Sequence, residues 1–239
     1  MAALATSASA NATRVLSAGG MIVTDARLDD TALAALISSK ICHDLAGQIG
    51  AINNGLELLE EENDEDTRFY ALELIQNSAK AAWAQLDFNR LAFGVSSSLG
   101  ALVPVQHIEQ VARRYLENGK RRLHWQANVP EIEKEHARLL MALLGVSINA
   151  LPAGGDYYLG LSASKTRAGR SRFKLIILCR GRAARVPEGV AEVFAGDTTR
   201  TIDGRLVIAY YATRLATEAS LKLSALKEGE DILFTLEPR

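Results

Sequence analysis

The sequence predicts an α+β chain. A helical hairpin pairs with a second copy as a four-helix bundle, and an α/β sandwich follows it. Three observations predict this. Apolar residues recur at helical spacing through residues 28–94, a Gly/Ser stretch interrupts the chain at 94–100, and helical and alternating segments interleave from 101 to 239. With 48% hydrophobic and 23% charged residues, the 239-residue chain has enough apolar material for one large domain or two small ones. A net charge of -1 argues against a nucleic-acid or anionic-membrane binder. Cys42 and Cys179 are too far apart for a metal-ligand pattern and read as small buried hydrophobes of a reducing compartment. No apolar run nears 18 residues, so no membrane span and a cytoplasmic location are expected.

Residues 1–27, rich in Ala, Ser and Thr, read as a disordered tail. In the first helix Ile41, Leu45, Ile49, Ile52, Leu56 and Leu59 fall within about 40° of one line, a stripe that faces a core. The second helix carries Leu72, Ile75, Ala79, Ala82, Leu86 and Phe93 as its seam. Between them the acidic run Glu60–Asp66 is a solvated turn, and its acids favour the start of the second helix near Thr67. Two helices cannot bury both stripes well, so a homodimer is expected.

After the linker, Pro104 opens a helix that closes near Gly119. Leu123, Trp125 and Ala127 alternate as a strand, and 133–151 is helical up to Pro152. Residues 157–164 and 172–179 read as a hairpin, 187–194 and 205–219 as helices, and 221–225 and 232–236 as closing strands. Helices then cover one face of a mixed sheet. Trp83 and Trp125 are read as core, and Arg167, Arg170 and Arg172 as a basic hairpin tip, either a solvated turn or a surface for an acidic partner.

His43 lies about 160° from the stripe of the first helix and faces water, with Asp44 next to it. Exposed histidines are commonly only solvated; the sharper reading is a nucleophile for something that docks from outside. Asp44 can hold the ring tautomer and stabilise the cationic ring as it forms. His107, His124 and His136 lack metal-ligand spacing, so no metal site is expected. Leu36, one heptad before His43, is expected on the exposed side as a docking contact. Gly47 lacks a side chain on the His43 face and either lets a partner approach or is a mildly destabilising helix glycine.

The combination of Cys42-His43-Asp44, Gly55-Leu56-Glu57-Leu58-Leu59-Glu60 and Arg90-Leu91-Ala92-Phe93-Gly94 with this element order resembles the body of a sensor histidine kinase. It is more closely similar to the ChpT-type histidine phosphotransferases of alphaproteobacterial cell-cycle phosphorelays. The resemblance covers residues 28–239. It implies a dimerisation and histidine-phosphotransfer hairpin over 28–94 and a degenerate Bergerat-like ATPase sandwich over 101–239. The kinase patterns for Mg-ATP are broken at three places. Gly145 precedes Asn149 where two asparagines are usual, Cys179-Arg180-Gly181-Arg182 lacks the adenine-reading aspartate, and Asp203-Gly204-Arg205 is all that stands for the phosphate loop.

The resemblance therefore implies a phosphotransferase that carries a phosphoryl group on His43 between receiver-domain aspartates and binds no ATP. The receivers of a hybrid histidine kinase and of response regulators are the partners. They supply the Mg²⁺, so no cofactor of the chain's own is expected. Docking is expected at Leu36, Ser39, Lys40, Gly47 and Gln48. An ATP-dependent kinase with drifted motifs and a non-catalytic dimeric scaffold are the alternatives.

Overall fold

The computed structural model describes residues 15–17, 20–22, 28–61, 64–94, 101–117, 119–165, 171–197 and 199–239. Within the segment expected to be a disordered tail, β1 (Val15–Ser17) pairs antiparallel with β2 (Gly20–Ile22). The linker 95–100 and the tip residues 167 and 170 lie outside the described residues, as does the Arg172 side chain.

Helix α1 spans Asp30–Glu61, and the Asp29 carboxylate accepts from Ala32 N at 2.7 Å. Helix α2 spans Glu65–Phe93. Asp64 caps it by accepting from Thr67 N at 2.9 Å and Thr67 Oγ1 at 3.0 Å. The acidic turn thus serves the dipole and the cap of α2. The two helices pack closely at Gly55, where a Cβ would lie 2.6 Å from Ile75 Cγ1 and 3.1 Å from the Ala71 carbonyl oxygen.

The second half runs β3 (Leu102–Pro104), α3 (Val105–Leu116), β4 (Arg121–Ala127), β5 (Glu131–Glu133), α4 (Lys134–Ser147), a 3₁₀ turn (Ile148–Ala150), β6 (Gly155–Lys165) and β7 (Ser171–Arg180). It continues through α5 (Val190–Ala195), α6 (Val207–Glu218), β8 (Leu221–Glu228) and β9 (Asp231–Pro238). The main sheet has the order β4-β6-β7-β9-β8, with β4 and β6 parallel and the remaining pairs antiparallel. The parallel pair requires a crossover, which α4 supplies. A separate β3–β5 pair, Leu102 opposite Glu133, was not anticipated, because three-residue strands carry no readable alternation.

Strand alternation sends Leu123, Tyr157, Leu159, Phe173, Leu175, Ile177, Ile232, Phe234 and Leu236 to the buried face. The other face carries a ladder of charges. Arg122 donates to both oxygens of Asp156, at 2.8 and 2.9 Å, and His124 Nε2 lies 2.8 Å from the same carboxylate. His124 stacks on Tyr158, and Arg180 pairs with Asp231.

The hairpin and the α/β half share one core. Leu28, Ala32 and Leu33 of the chain start, and Phe88, Leu91 and Ala92 of α2, are buried in the same cluster as the sheet and helices α3, α4 and α6. Phe88 stacks on Tyr115 of α3 at 3.8 Å. Tyr211 of α6 donates to the Ala92 carbonyl at 3.1 Å, Arg138 of α4 donates to the Tyr211 hydroxyl, and Arg214 holds Asp30 at 2.6 Å. Trp83, expected in the core, is 57% exposed, because it lies on the flank of α2 that neither α1 nor the α/β half covers.

Phe88→Ala should cost about 3–5 kcal/mol, since it removes a buried ring at the junction of the two halves; chemical denaturation measures this. The Arg122 guanidinium, and then His124, hold the Asp156 carboxyl well below the usual carboxylate range. Its contribution to stability is therefore complete above about pH 4 and is lost as pH falls through the folded-state value. The stability gap between wild type and Asp156→Asn should be present at neutral pH and close in acid, measured as urea midpoints across pH.

Candidate functional site

His43 sits in the first half of α1, in the part of the hairpin nearer the α/β half. Its side chain is 87% exposed. Asp44 is 25% exposed, and its Oδ1 lies 3.4 Å from His43 Nδ1. That separation is long for a charge-assisted hydrogen bond, but it directs Nδ1 toward the carboxylate and leaves Nε2 pointing away. The Lys40 ammonium is closer to that carboxylate than the imidazole is, donating to both oxygens at 2.6 Å.

Helix α3 approaches this region from the second half. Burial pushes the Tyr115 phenol up to about 12, and the Asp44 charge acts in the same direction, so α3 lies within electrostatic reach of the carboxylate. Gln85 of α2 hydrogen-bonds the phenol and donates to Asn89 Oδ1 at 3.2 Å. Sequence reasoning missed Tyr115 and Gln85 here, because they read as ordinary helix residues 41 or more positions away.

Ser39 and Gly47 are exposed beside His43, whereas Lys40 and Gln48 are half-buried. A Cβ on Gly47 would meet nothing within 4 Å. Leu36 is placed differently from the expectation. It is half-buried against the shared core, because the first turns of α1 lie on the α/β half and cover the face that turns to solvent farther along. Cys42 is also corrected: it is exposed, since it lies on a flank of α1 outside the contact with α2, while Cys179 is buried and its thiol is pushed up to about 12 by burial.

The first-helix stripe is split. Ile41, Leu45, Ile52 and Leu59 are half-buried, but Ile49 and Leu56 are 50% and 47% exposed. On α2 the residues Phe69, Leu72, Ala79, Trp83 and Leu86, spaced three, seven, four and three apart, are likewise exposed. One helix covers only one side of its neighbour, so each helix of the hairpin keeps an exposed apolar line.

The other histidines stand apart from His43. His124 belongs to the sheet ladder, His107 is exposed, and His136 stacks on Phe173, where burial lowers its pKa. Among the described residues no three His, Cys, Asp or Glu side chains group as metal ligands, and no helix is long and apolar enough to cross a membrane.

The three broken kinase patterns have structural roles. A Cβ on Gly145 would lie 3.1 Å from Phe88 Cζ, so this position belongs to the contact between α4 and the hairpin. The Asp203 carboxylate accepts from Arg205 N and Leu206 N at 2.9 and 3.1 Å, which occupies the amides of that turn. Arg180 is held by Asp231, and Asn149 is an exposed residue of the 3₁₀ turn.

The site is thus an exposed histidine with a carboxylate 3.4 Å from its Nδ1, on a helical hairpin fixed to an α/β half. A family model described as the histidine phosphotransferase C-terminal domain matches residues 105–231. Protein phosphotransferase ChpT of Brucella abortus (strain 2308) is 38% identical over 207 residues, which are 86% of this chain and 95% of that protein. The solved structure of a bacterial phosphotransferase superposes with a TM-score of 0.75 at 36% identity, covering 88% of this chain and 98% of that one. The chain belongs to the histidine phosphotransferase family.

Proposed function

We propose that the chain carries a phosphoryl group on His43 Nε2 between receiver-domain aspartates in a two-component phosphorelay, without using ATP. The observation that carries this reading is the exposure of His43 with Nδ1 turned to Asp44. A proton held on Nδ1 leaves the Nε2 lone pair free to attack phosphorus, and the carboxylate then faces the ring as it becomes cationic. The aspartyl phosphate of an incoming receiver is the donor. As Nε2–P forms, the P–O bond to the receiver carboxylate breaks and that carboxylate leaves with the electron pair. The reverse step delivers the group to a second receiver. Mg²⁺ bound by the receiver offsets phosphoryl charge, so this chain needs no cofactor of its own.

Receivers dock on the exposed side of α1 around His43, over Ser39, Gly47 and Gln48, where the missing Gly47 side chain permits close approach. Receivers of a hybrid histidine kinase and of response regulators are the proposed partners, in the cytoplasm. The α/β half is a Bergerat-like sandwich that has given up nucleotide. Its support is the occupied Asp203 turn and the Gly145 contact with Phe88, both at places where the kinase patterns are broken. In the test, label should pass from a phosphorylated receiver to wild type and not to His43→Ala, and labelled ATP should leave both unlabelled. Labelling from ATP would make the chain a kinase, and no labelling from competent receivers would leave a scaffold.

The exposed seam of Ile49, Leu56, Leu72, Trp83 and Leu86 supports a homodimer closed as a four-helix bundle. Ile49→Glu places a charge in that seam and should convert a dimer to a monomer in light scattering. A wild-type monomer at micromolar concentration would refute the bundle.

A further inference from the structure

Resting on the carrier reading above, we propose that Lys40 is a positioning residue for the transfer, acting on His43 through Asp44 rather than as a receiver contact. The distances carry this. Lys40 Nζ lies 2.6 Å from both oxygens of Asp44, and one of those oxygens lies 3.4 Å from His43 Nδ1. Lys40, His43 and Asp44 therefore form one connected set within little more than a helical turn, at positions i, i+3 and i+4.

The pair is poorly explained as a helix-stabilising bridge. A lysine one turn before an acid is the less favourable order against the helix dipole, and exposed pairs of this spacing contribute little. Nor is it fully exposed. Lys40 and Asp44 are 33% and 25% exposed beside a histidine at 87%, and Tyr115 of α3 lies within electrostatic reach of Asp44. A lysine serving only to bind a partner would project from the helix. This one is turned along it, with its ammonium committed to the carboxylate.

Two effects on the reaction follow. Two contacts from one ammonium fix the Asp44 rotamer, so the carboxylate faces Nδ1 and the other ring nitrogen faces outward. The cation also offsets the carboxylate charge. In the forward step Nε2 gains a dianionic phosphoryl group while the donor carboxylate leaves, and the ring becomes an imidazolium with its proton still on Nδ1. A bare carboxylate beside the ring would repel the incoming phosphoryl group. A carboxylate neutralised by Lys40 retains its hydrogen-bond acceptor and loses most of that repulsion.

The test uses the full chain and a panel of receiver domains phosphorylated with acetyl phosphate, in single-turnover transfer over a range of donor concentrations. Wild type, Lys40→Met, Lys40→Arg, Asp44→Asn and the Lys40→Met/Asp44→Asn double variant are compared. Lys40→Met should lower the maximal rate about ten-fold. The half-saturating donor concentration should stay within about two-fold, with the thermal midpoint unchanged. Lys40→Arg should restore most of the rate, and in the Asp44→Asn background the Lys40→Met effect should shrink to less than about two-fold. A raised half-saturation at constant maximal rate would make Lys40 a docking residue and overturn the proposal, as would additive losses in the double variant or no effect of Lys40→Met. His43-independent labelling, or none in wild type from any receiver, would instead remove the carrier reading itself.

Discussion

The burial of the α2 C-terminal half against α3 and α4 is the constraint on which the rest depends. Phe88, Leu91 and Ala92 give up solvent there, and Tyr211 and Arg138 tie the Ala92 carbonyl into the second half. Apolar burial of that kind is the main favourable term available to a two-helix unit, which has little interior of its own. With α2 anchored, α1 is held by α2 along its length and by α6 at its first turns. The outward face of α1 at His43 is then left to solvent and is free to carry a reactive group. A histidine there can be fully wet without leaving a hole in any core.

The hairpin is thus two different objects along its length. Near the α/β half its apolar residues find partners in the same chain. Toward the tip, Leu56, Phe69 and Leu72 do not, and the exposed line continues back through Trp83 and Leu86. An apolar flank of this length is uncommon on a monomer surface and accords with the proposed second copy. His43 lies on the far side of α1 from that flank, so pairing of two chains and docking at the histidine would not compete for one surface.

Helix extents and the closing strands were legible because long periodic segments with Asp64, Gly94, Pro104 and Pro152 at their ends state their boundaries chemically. The errors share one physical origin. A helical wheel assumes one core direction for a whole helix, yet α1 meets α6 at its start and α2 along its length, so Leu36 is covered at an angle that is solvent at His43. The same assumption placed Trp83 inside, where a single chain leaves it exposed. At the site, the adjacency of His43 and Asp44 could be read directly. The capture of Asp44 by Lys40 could not, because i,i+4 spacing permits a bridge without requiring one. The approach of Tyr115 depends on tertiary packing alone.

The same packing bears on what the second half can still do. Gly145 stands where the kinase pattern has an asparagine, and even a methyl group there would come within 3.1 Å of the Phe88 ring. An asparagine would bring a longer, polar side chain to a half-buried position beside Phe88 and Ile208. A larger side chain at 145 would have to displace the Phe88 ring by a few tenths of an ångström. If the chain is a carrier, the choice is intelligible. A kinase must move its nucleotide domain onto the histidine, whereas a carrier receives its phosphoryl group from outside and is best served by a histidine helix that does not move. Under the carrier reading, the contact of Phe88 with Gly145 serves that end by holding α2 against α4.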